Sequence, residues 1–208
     1  RIGFPVGFQQ AFVALSMLAM YWLVNRFGTD VAAAFSVAFR IDSFASMPAM
    51  NFAMALSAFV GQNLGARKPE RVKRGLVATF YMTAIISVTI SLVGIFFAGP
   101  LMRLFTTDAA VVEVGKDYLQ IVTGFYIVFS SMFVVGGVMR GAGDTFIPML
   151  ITFFALWVVR IPVGYFLSEK MGYHGIWWCI PIAWVVGLGL SFAYYSTGRW
   201  KKKTVVRI

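Results

Sequence analysis

The sequence predicts an all-α membrane protein, a bundle of six transmembrane helices. Hydrophobic residues make up 60% of the chain, only 12% of its residues are charged, and the charges gather in short clusters. A soluble domain carries roughly 25% charged residues. A helix needs about 20 mostly apolar residues to cross the hydrocarbon core. Charge-free runs of at least that length lie at 2–25, 43–66, 75–102, 118–139 and 171–198.

The six helices form a single transmembrane lobe and are expected at about residues 3–24, 31–64, 76–97, 118–139, 146–167 and 176–195. The second is longer than a straight crossing requires, so it must tilt, kink or protrude, and Pro48 is the expected kink site. The fifth is interrupted only by Arg160. The stretch 101–117 is expected to form a short amphipathic helix on the membrane surface.

The basic residues indicate the topology. Most of the 18 Lys and Arg residues lie in the segment 67–74, at Arg140 and in the segment 199–207. Cytoplasmic ends of membrane helices are enriched in Lys and Arg, so these segments and both termini are predicted to face the cytoplasm, across the cytoplasmic (inner) membrane. The net charge of +10 is explained by this topology and by contact with anionic membrane lipid, and no nucleic-acid partner is expected.

The sequence carries no pattern typical of an enzyme or a metal site. Cys179 is the only cysteine and His174 the only histidine, which excludes clusters of these ligands. No paired carboxylates and no nucleophile beside a base are visible. The glycine-rich stretch 141–144 follows a membrane helix rather than a strand, so it is not a nucleotide-binding turn. We therefore expect no catalytic residue, metal or cofactor.

Charged residues inside the spans are the first candidates for function, because a charge in hydrocarbon is costly. Arg40 and Asp42 lie in the second helix and Arg160 in the fifth. Arg40 and Asp42 are two residues apart and point to different faces, so each needs a partner elsewhere. Arg160 is the expected partner of Asp42. The sequence leaves two roles open for these charges, structural ion pairs or direct participation in transport.

Polar residues near the spans form two further groups. Gln9, Gln10 and Asn51 are large and costly to leave unpaired in lipid, so they are expected to face a cavity or a partner helix. Arg140 and Asp144 are four residues apart at the cytoplasmic end of the bundle. We interpret them as a helix-end cap and cytoplasmic latch.

The second helix also carries a ladder of small residues, four positions apart and therefore on one face: Ala45, Ala49, Ala53, Ser57, Gly61 and Gly65. Small residues at this spacing allow two helix backbones to approach closely in lipid. The ladder predicts a packing seam, and a surface that slides or pivots during transport is compatible with it.

Several motifs, in this order and spacing, resemble the multidrug and toxic compound extrusion (MATE) family. They are Gly-Phe-Pro at 3–5, Val-Gly-Gln-Asn-Leu-Gly-Ala-Arg at 60–67, Arg-Gly-Ala-Gly-Asp-Thr at 140–145 and Arg-Ile-Pro at 160–162. The resemblance implies the C-terminal lobe, helices seven to twelve, of a two-lobed antiporter. It implies export of cationic or amphipathic compounds in exchange for H⁺ or Na⁺ by alternating access. The N-terminal lobe would then be the missing partner.

Two positions depart from one branch of that family. The branch has a cation-binding Glu in the first helix of this lobe and an Asp in the fourth, whereas 9–14 and 126–131 contain no acid here. The coupling ion is therefore expected to bind in the missing lobe.

Two other functions stay open at this point. The first is a lipid-linked oligosaccharide flippase or polysaccharide exporter of the same superfamily, against which the motifs around Gly61 and Arg140 argue. The second is a self-sufficient six-helix membrane protein, a channel or an anchor, which would pair with a second copy of itself.

Overall fold

The computed structural model describes residues 3–203, which form helices joined by short connections. A π-helical segment (Phe154–Arg160) joins the seventh helix to the eighth, and a 3-10 helix (Arg199–Lys203) follows the last. The α-helices are α1 (Gly3–Asn25), α2 (Thr29–Gly65), α3 (Pro69–Phe96), α4 (Ala98–Arg103), α5 (Ala109–Thr123), α6 (Tyr126–Gly141), α7 (Phe146–Phe153), α8 (Ile161–Met171) and α9 (Tyr173–Ser196).

Five helical stretches are long and apolar enough to cross a membrane: α1, α2, α3, the continuous stretch Phe146–Met171, and α9. The pair α5 and α6 forms a sixth candidate span, bent by 50°. No strand occurs within residues 3–203. The predicted fold class, an all-α membrane bundle, is confirmed.

The fourth span differs from the straight helix expected at 118–139. It begins earlier, at Ala109, and breaks at Gly124 and Phe125 between α5 and α6. Glycine is a poor helix former, which favours a break at this point. The Asp108 carboxylate caps α5 by accepting hydrogen bonds from the backbone N–H groups of Ala110 (2.9 Å) and Val111 (3.4 Å).

The expected surface helix at 101–117 is therefore absent. The short α4 covers only its first residues, and α5 packs into the bundle, with Val112, Tyr118 and Leu119 buried. The apolar face that looked like a membrane-surface helix is the face that α5 buries against α2 and α3.

The third span also begins earlier than expected, at Pro69 instead of residue 76. Proline is well tolerated in the first turn of a helix, where its missing N–H has no partner in any case. Much of the basic segment 67–74 therefore lies on the first turns of α3. The long α2 continues through Pro48 as one helix of 37 residues.

Two groups of buried side chains form the interior. The larger contains Phe35 of α2, whose ring stacks on Trp177 of α9 at a centroid distance of 5.6 Å, and Tyr118 of α5, edge-on to Trp177 at 5.1 Å. The smaller lies at the other end and includes Val60, Val138 and Trp200. The aromatic stack fixes α2, α5 and α9 together around the polar residues described below.

The small-residue ladder of α2 lies against α6. A Cβ added to Gly137 would lie 2.6 Å from the carbonyl oxygen of Ala53, and one added to Gly61 would lie 3.3 Å from that of Gly141. A Cβ on Gly141 would in turn collide with the carbonyl oxygen of Ser57. The two backbones therefore touch along this seam, as small residues permit in lipid. Ala49 is buried, whereas a Cβ on Gly65 would meet open space.

Candidate functional site

Asp42 and Tyr126 meet at the interface between α2 and α6. The Tyr126 hydroxyl donates a short hydrogen bond to a carboxylate oxygen of Asp42. The Tyr126 ring is buried and packs beside Trp184 of α9. A tyrosine hydroxyl inside a membrane span needs a polar partner, and Asp42 supplies it.

Arg160 lies at the end of the π-helical segment and is 8% exposed. Its Nη2 is 3.9 Å from the sulfur of Met17, and its Nε has no hydrogen-bond partner among the described residues. The predicted ion pair between Arg160 and Asp42 is not formed, since no N···O distance of 4.0 Å or less joins them.

The π-helical segment has a cause in the sequence. Pro162 has no N–H to donate to the carbonyl of Val158, so a regular α-helical ladder cannot continue through this point. The seven residues Phe154–Arg160, which precede Pro162, form the wider turns of a π-helix. Such segments are frequent at functional sites, because they change the direction in which a side chain points. Here the segment ends on Arg160.

Two further buried side chains share this region of the interior. The Tyr118 and Cys179 side chains are fully buried in the same core as Tyr126. We call Asp42, Tyr118, Tyr126, Arg160 and Cys179 the central polar cluster. Five different helical segments contribute one residue each to the cluster: α2, α5, α6, the π-helical segment and α9.

Arg40 belongs to a different surface. It is exposed, although it lies in a span, and no hydrogen bond or ion pair joins it to another residue of the described range. Several exposed residues on the same face of α2 are spaced three, four, seven or eight apart. We call this face the α2 outer stripe: Ser36, Arg40, Met47, Asn51, Met54 and Gln62.

The three predicted cavity residues do not form one group. Asn51 lies on the α2 outer stripe, and Gln10 is exposed on α1. Gln9 is half-buried, and its Nε2 donates a hydrogen bond of 2.7 Å to the Thr152 hydroxyl. The Trp157 indole donates one of 3.2 Å to the carbonyl of Phe12. Gln9 is thus part of a link between α1 and the fifth span.

The predicted latch residues also find different partners. Asp144 is 1% exposed and accepts a hydrogen bond of 2.5 Å from the Tyr194 hydroxyl. No N···O distance of 4.0 Å or less joins it to Arg140 in the described part of the chain. Asp144 therefore fastens the turn after α6 to the end of α9, whereas Arg140 is half-buried and lies along its own helix, beside Gly136.

Sequence reasoning missed the tyrosines. Tyr126 donates a hydrogen bond to Asp42 and Tyr194 donates one to Asp144, and only the two acids are candidates in the sequence analysis. The available signal was a hydroxyl inside an apolar run, which must find an acceptor. Which acceptor it finds depends on the helix register, and one sequence does not give that register.

Comparison with known proteins places this geometry in a family. The MatE family profile matches residues 5–166. The probable multidrug resistance protein YoeA of Bacillus subtilis is 30% identical over all of this chain and 45% of its own length. The multidrug resistance protein MdtK of Proteus mirabilis is 27% identical over 96% of this chain and 44% of its own length.

Solved structures agree on the fold. An outward-facing multidrug resistance MATE family transporter superposes with a TM-score of 0.88 at 20% identity, over 96% of this chain and 44% of that one. A MOP superfamily transporter from Pyrococcus furiosus gives 0.87 at 19% identity, over 100% and 46%. The chain spans about half the length of the curated relatives that it matches. The six-span bundle corresponds to one lobe of these transporters, and the chain belongs to the MatE family.

Proposed function

We propose that this chain is the C-terminal lobe of a secondary active multidrug efflux antiporter of the cytoplasmic membrane. The complete transporter exports cationic or amphipathic compounds in exchange for H⁺ or Na⁺ by alternating access. The observation that carries this proposal is the α2 outer stripe, a polar face on a span that has no partner helix within residues 3–203.

A face of this kind is unsuited to lipid. Arg40 and Asn51 would each leave hydrogen-bonding groups unsatisfied in hydrocarbon, at a cost of several kcal/mol. Residues of this type face a bundle interior or a water-filled cavity. A second lobe opposite α2 would provide that cavity, which agrees with relatives about twice as long as this chain.

The remaining residues of the stripe suit substrates of varied shape. Met47 and Met54 are exposed, Met54 by 68%. Methionine side chains are flexible and polarizable, and surfaces rich in them adapt to many apolar ligands. This supports amphipathic substrates, in agreement with relatives that are named multidrug resistance proteins.

The coupling ion is proposed to bind in the N-terminal lobe. The positions at which one branch of the family carries acids, in the first and fourth helices of this lobe, carry no acid here. Asp42 lies within α2 and accepts a hydrogen bond from Tyr126 of α6, and we assign to it a supporting role: it holds α2 and α6 in a relative position that transport changes. The partners of this chain are then the N-terminal lobe, membrane lipid and the exported compounds.

Efflux by the complete polypeptide tests this proposal. The protein is reconstituted into liposomes, and uptake of a fluorescent cationic dye is measured under an imposed H⁺ or Na⁺ gradient. We expect dye transport that depends on one of the two gradients and stops when an ionophore removes it. Dye movement that persists without either gradient, or no dye movement by folded protein, would contradict an ion-coupled drug antiporter.

A further inference from the structure

A cavity of about 650 Å³ lies at one end of the bundle, away from the central polar cluster and just beyond Gln62, the last residue of the α2 outer stripe. It lies where α2 ends, α3 begins and the chain leaves α9. Its apolar wall consists of Leu64, Val72, Tyr195 and Trp200. Its volume is within the roughly 300–1,000 Å³ that is typical of binding sites for small molecules.

The charges on the cavity lining are mainly positive. Arg67, Lys73 and Lys201 line it together with a single acid among the described lining residues, Glu70. The first turn of α3, a helix of 28 residues, also borders it through Pro69. The dipole of a helix places partial positive charge at its N-terminus. The lining therefore favours an anion.

Arg67 is held in an unfavourable backbone conformation. Its φ of 56° makes it the one non-glycine residue with positive φ among residues 3–203. The Lys68 N–H donates to the carbonyl of Asn63 (2.8 Å), and that of Arg67 donates to Leu64 (3.0 Å). Helices that end in this pattern usually place glycine at the left-handed position. An arginine there places a guanidinium at the cavity at a cost in backbone energy.

The tail after α9 forms a fixed wall. The Trp200 side chain is 3% exposed, its ring stacks on Tyr195 at 5.3 Å, and its indole N–H donates to the Tyr195 carbonyl (3.0 Å). Trp and Tyr concentrate at the boundary between lipid and water. We therefore expect the cavity to lie at the level of lipid headgroups.

We propose that this cavity binds the headgroup of an anionic phospholipid. The phosphate contacts Arg67 and Lys73, and the acyl chains follow the outer surface between α3 and α9, both of which pack on α6. Apolar side chains continue from the cavity along both helices: Leu76 and Phe80 on α3 and Phe192 on α9, the last 60% exposed. An anion without acyl chains would use only the charged half of this site.

The test uses the complete polypeptide in detergent, with its thermal unfolding midpoint measured as phosphatidylglycerol or phosphatidylcholine is added. We compare a pocket variant, Arg67→Gln with Lys73→Gln, with a control variant, Lys68→Gln with Arg71→Gln. The control removes the same charge from the same turn, at residues that do not line the cavity.

We expect phosphatidylglycerol to stabilise the native protein more than phosphatidylcholine. The pocket variant should need about tenfold more phosphatidylglycerol, and the control about twofold more at most. If the pocket variant does not fold, Lys73→Gln alone should need about threefold more. Equal effects in the two variants, equal stabilisation by both lipids, or full stabilisation by inorganic phosphate alone would each overturn the proposal.

Discussion

Asp42 of α2 accepts its hydrogen bond from the Tyr126 hydroxyl of α6, and Arg160 remains beyond ion-pair distance. The partner that binds the acid is therefore a neutral donor. The bond crosses the interface at which the backbones of α2 and α6 touch. We therefore expect a change in the charge of Asp42 to alter the packing of α2 against α6.

We predict that Asp42→Asn sharply reduces drug efflux by the complete protein. An amide can still accept from Tyr126, but it carries no charge toward Arg160, so the balance of the central polar cluster is lost. We expect efflux to fall by at least about tenfold, equivalent to about 1.4 kcal/mol. The measurement is the minimum inhibitory concentration of a cationic drug in cells that express each variant.

Asp30→Asn is the matched control, because Asp30 is exposed in the first turn of α2. It should leave resistance unchanged. Unchanged resistance with Asp42→Asn, at normal expression, would assign Asp42 to structure alone.

Tyr126→Phe should lower stability. The substitution removes the donor and leaves the Asp42 carboxylate with one fewer partner in a low-dielectric interior, which costs about 1–3 kcal/mol. The thermal unfolding midpoint in detergent should fall accordingly. Tyr81→Phe serves as the control, since Tyr81 is 68% exposed. Equal midpoints for the two variants would show that the Tyr126 bond adds nothing to stability.

Much of the fold follows from the sequence, because a span must bury its backbone hydrogen bonds within one helix and this needs a long apolar run. The apolar runs therefore predict the spans α1, α2 and α9. The small-residue ladder from Ala53 to Gly61 could also be predicted as a packing seam, because residues four apart lie on one face of a helix whatever helix packs against it.

The departures from regular helix were harder to predict. Gly124 and Pro162 each weaken a regular helix. They do not fix whether the chain bends, forms a π-helical segment or continues as one helix, as α2 does through Pro48. The partners of Asp42 and Asp144 depend on helix rotation. A shift of one residue would turn Tyr126 or Tyr194 to another face, so these contacts were beyond a single sequence.

Gly137→Ala should destabilise the α2–α6 seam. The new methyl group would lie 2.6 Å from the carbonyl oxygen of Ala53, a backbone atom that cannot move without shifting α2. Overpacking of this kind costs about 1–3 kcal/mol. Gly189→Ala is the control, because a Cβ there meets nothing within 4 Å and alanine favours helix. If both variants melt at the native temperature, the close approach of α2 and α6 is not tight in the protein.

The topology can be tested by labelling with a membrane-impermeant maleimide. Cys179 is fully buried and should not react with the maleimide. Once any cysteines in the rest of the complete polypeptide are replaced, labelling reports on a single cysteine introduced at the exposed surface. Arg71 and Arg199 are sequence neighbours of residues that line the proposed headgroup cavity, at one end of the bundle. Arg103 ends α4, which follows the other end of α3. Because basic residues concentrate on the cytoplasmic side, Arg71→Cys and Arg199→Cys should react only in inverted vesicles. Arg103→Cys should react in intact cells. Reaction of Arg71→Cys and Arg199→Cys from opposite sides would contradict both the six-span bundle and the shared cavity.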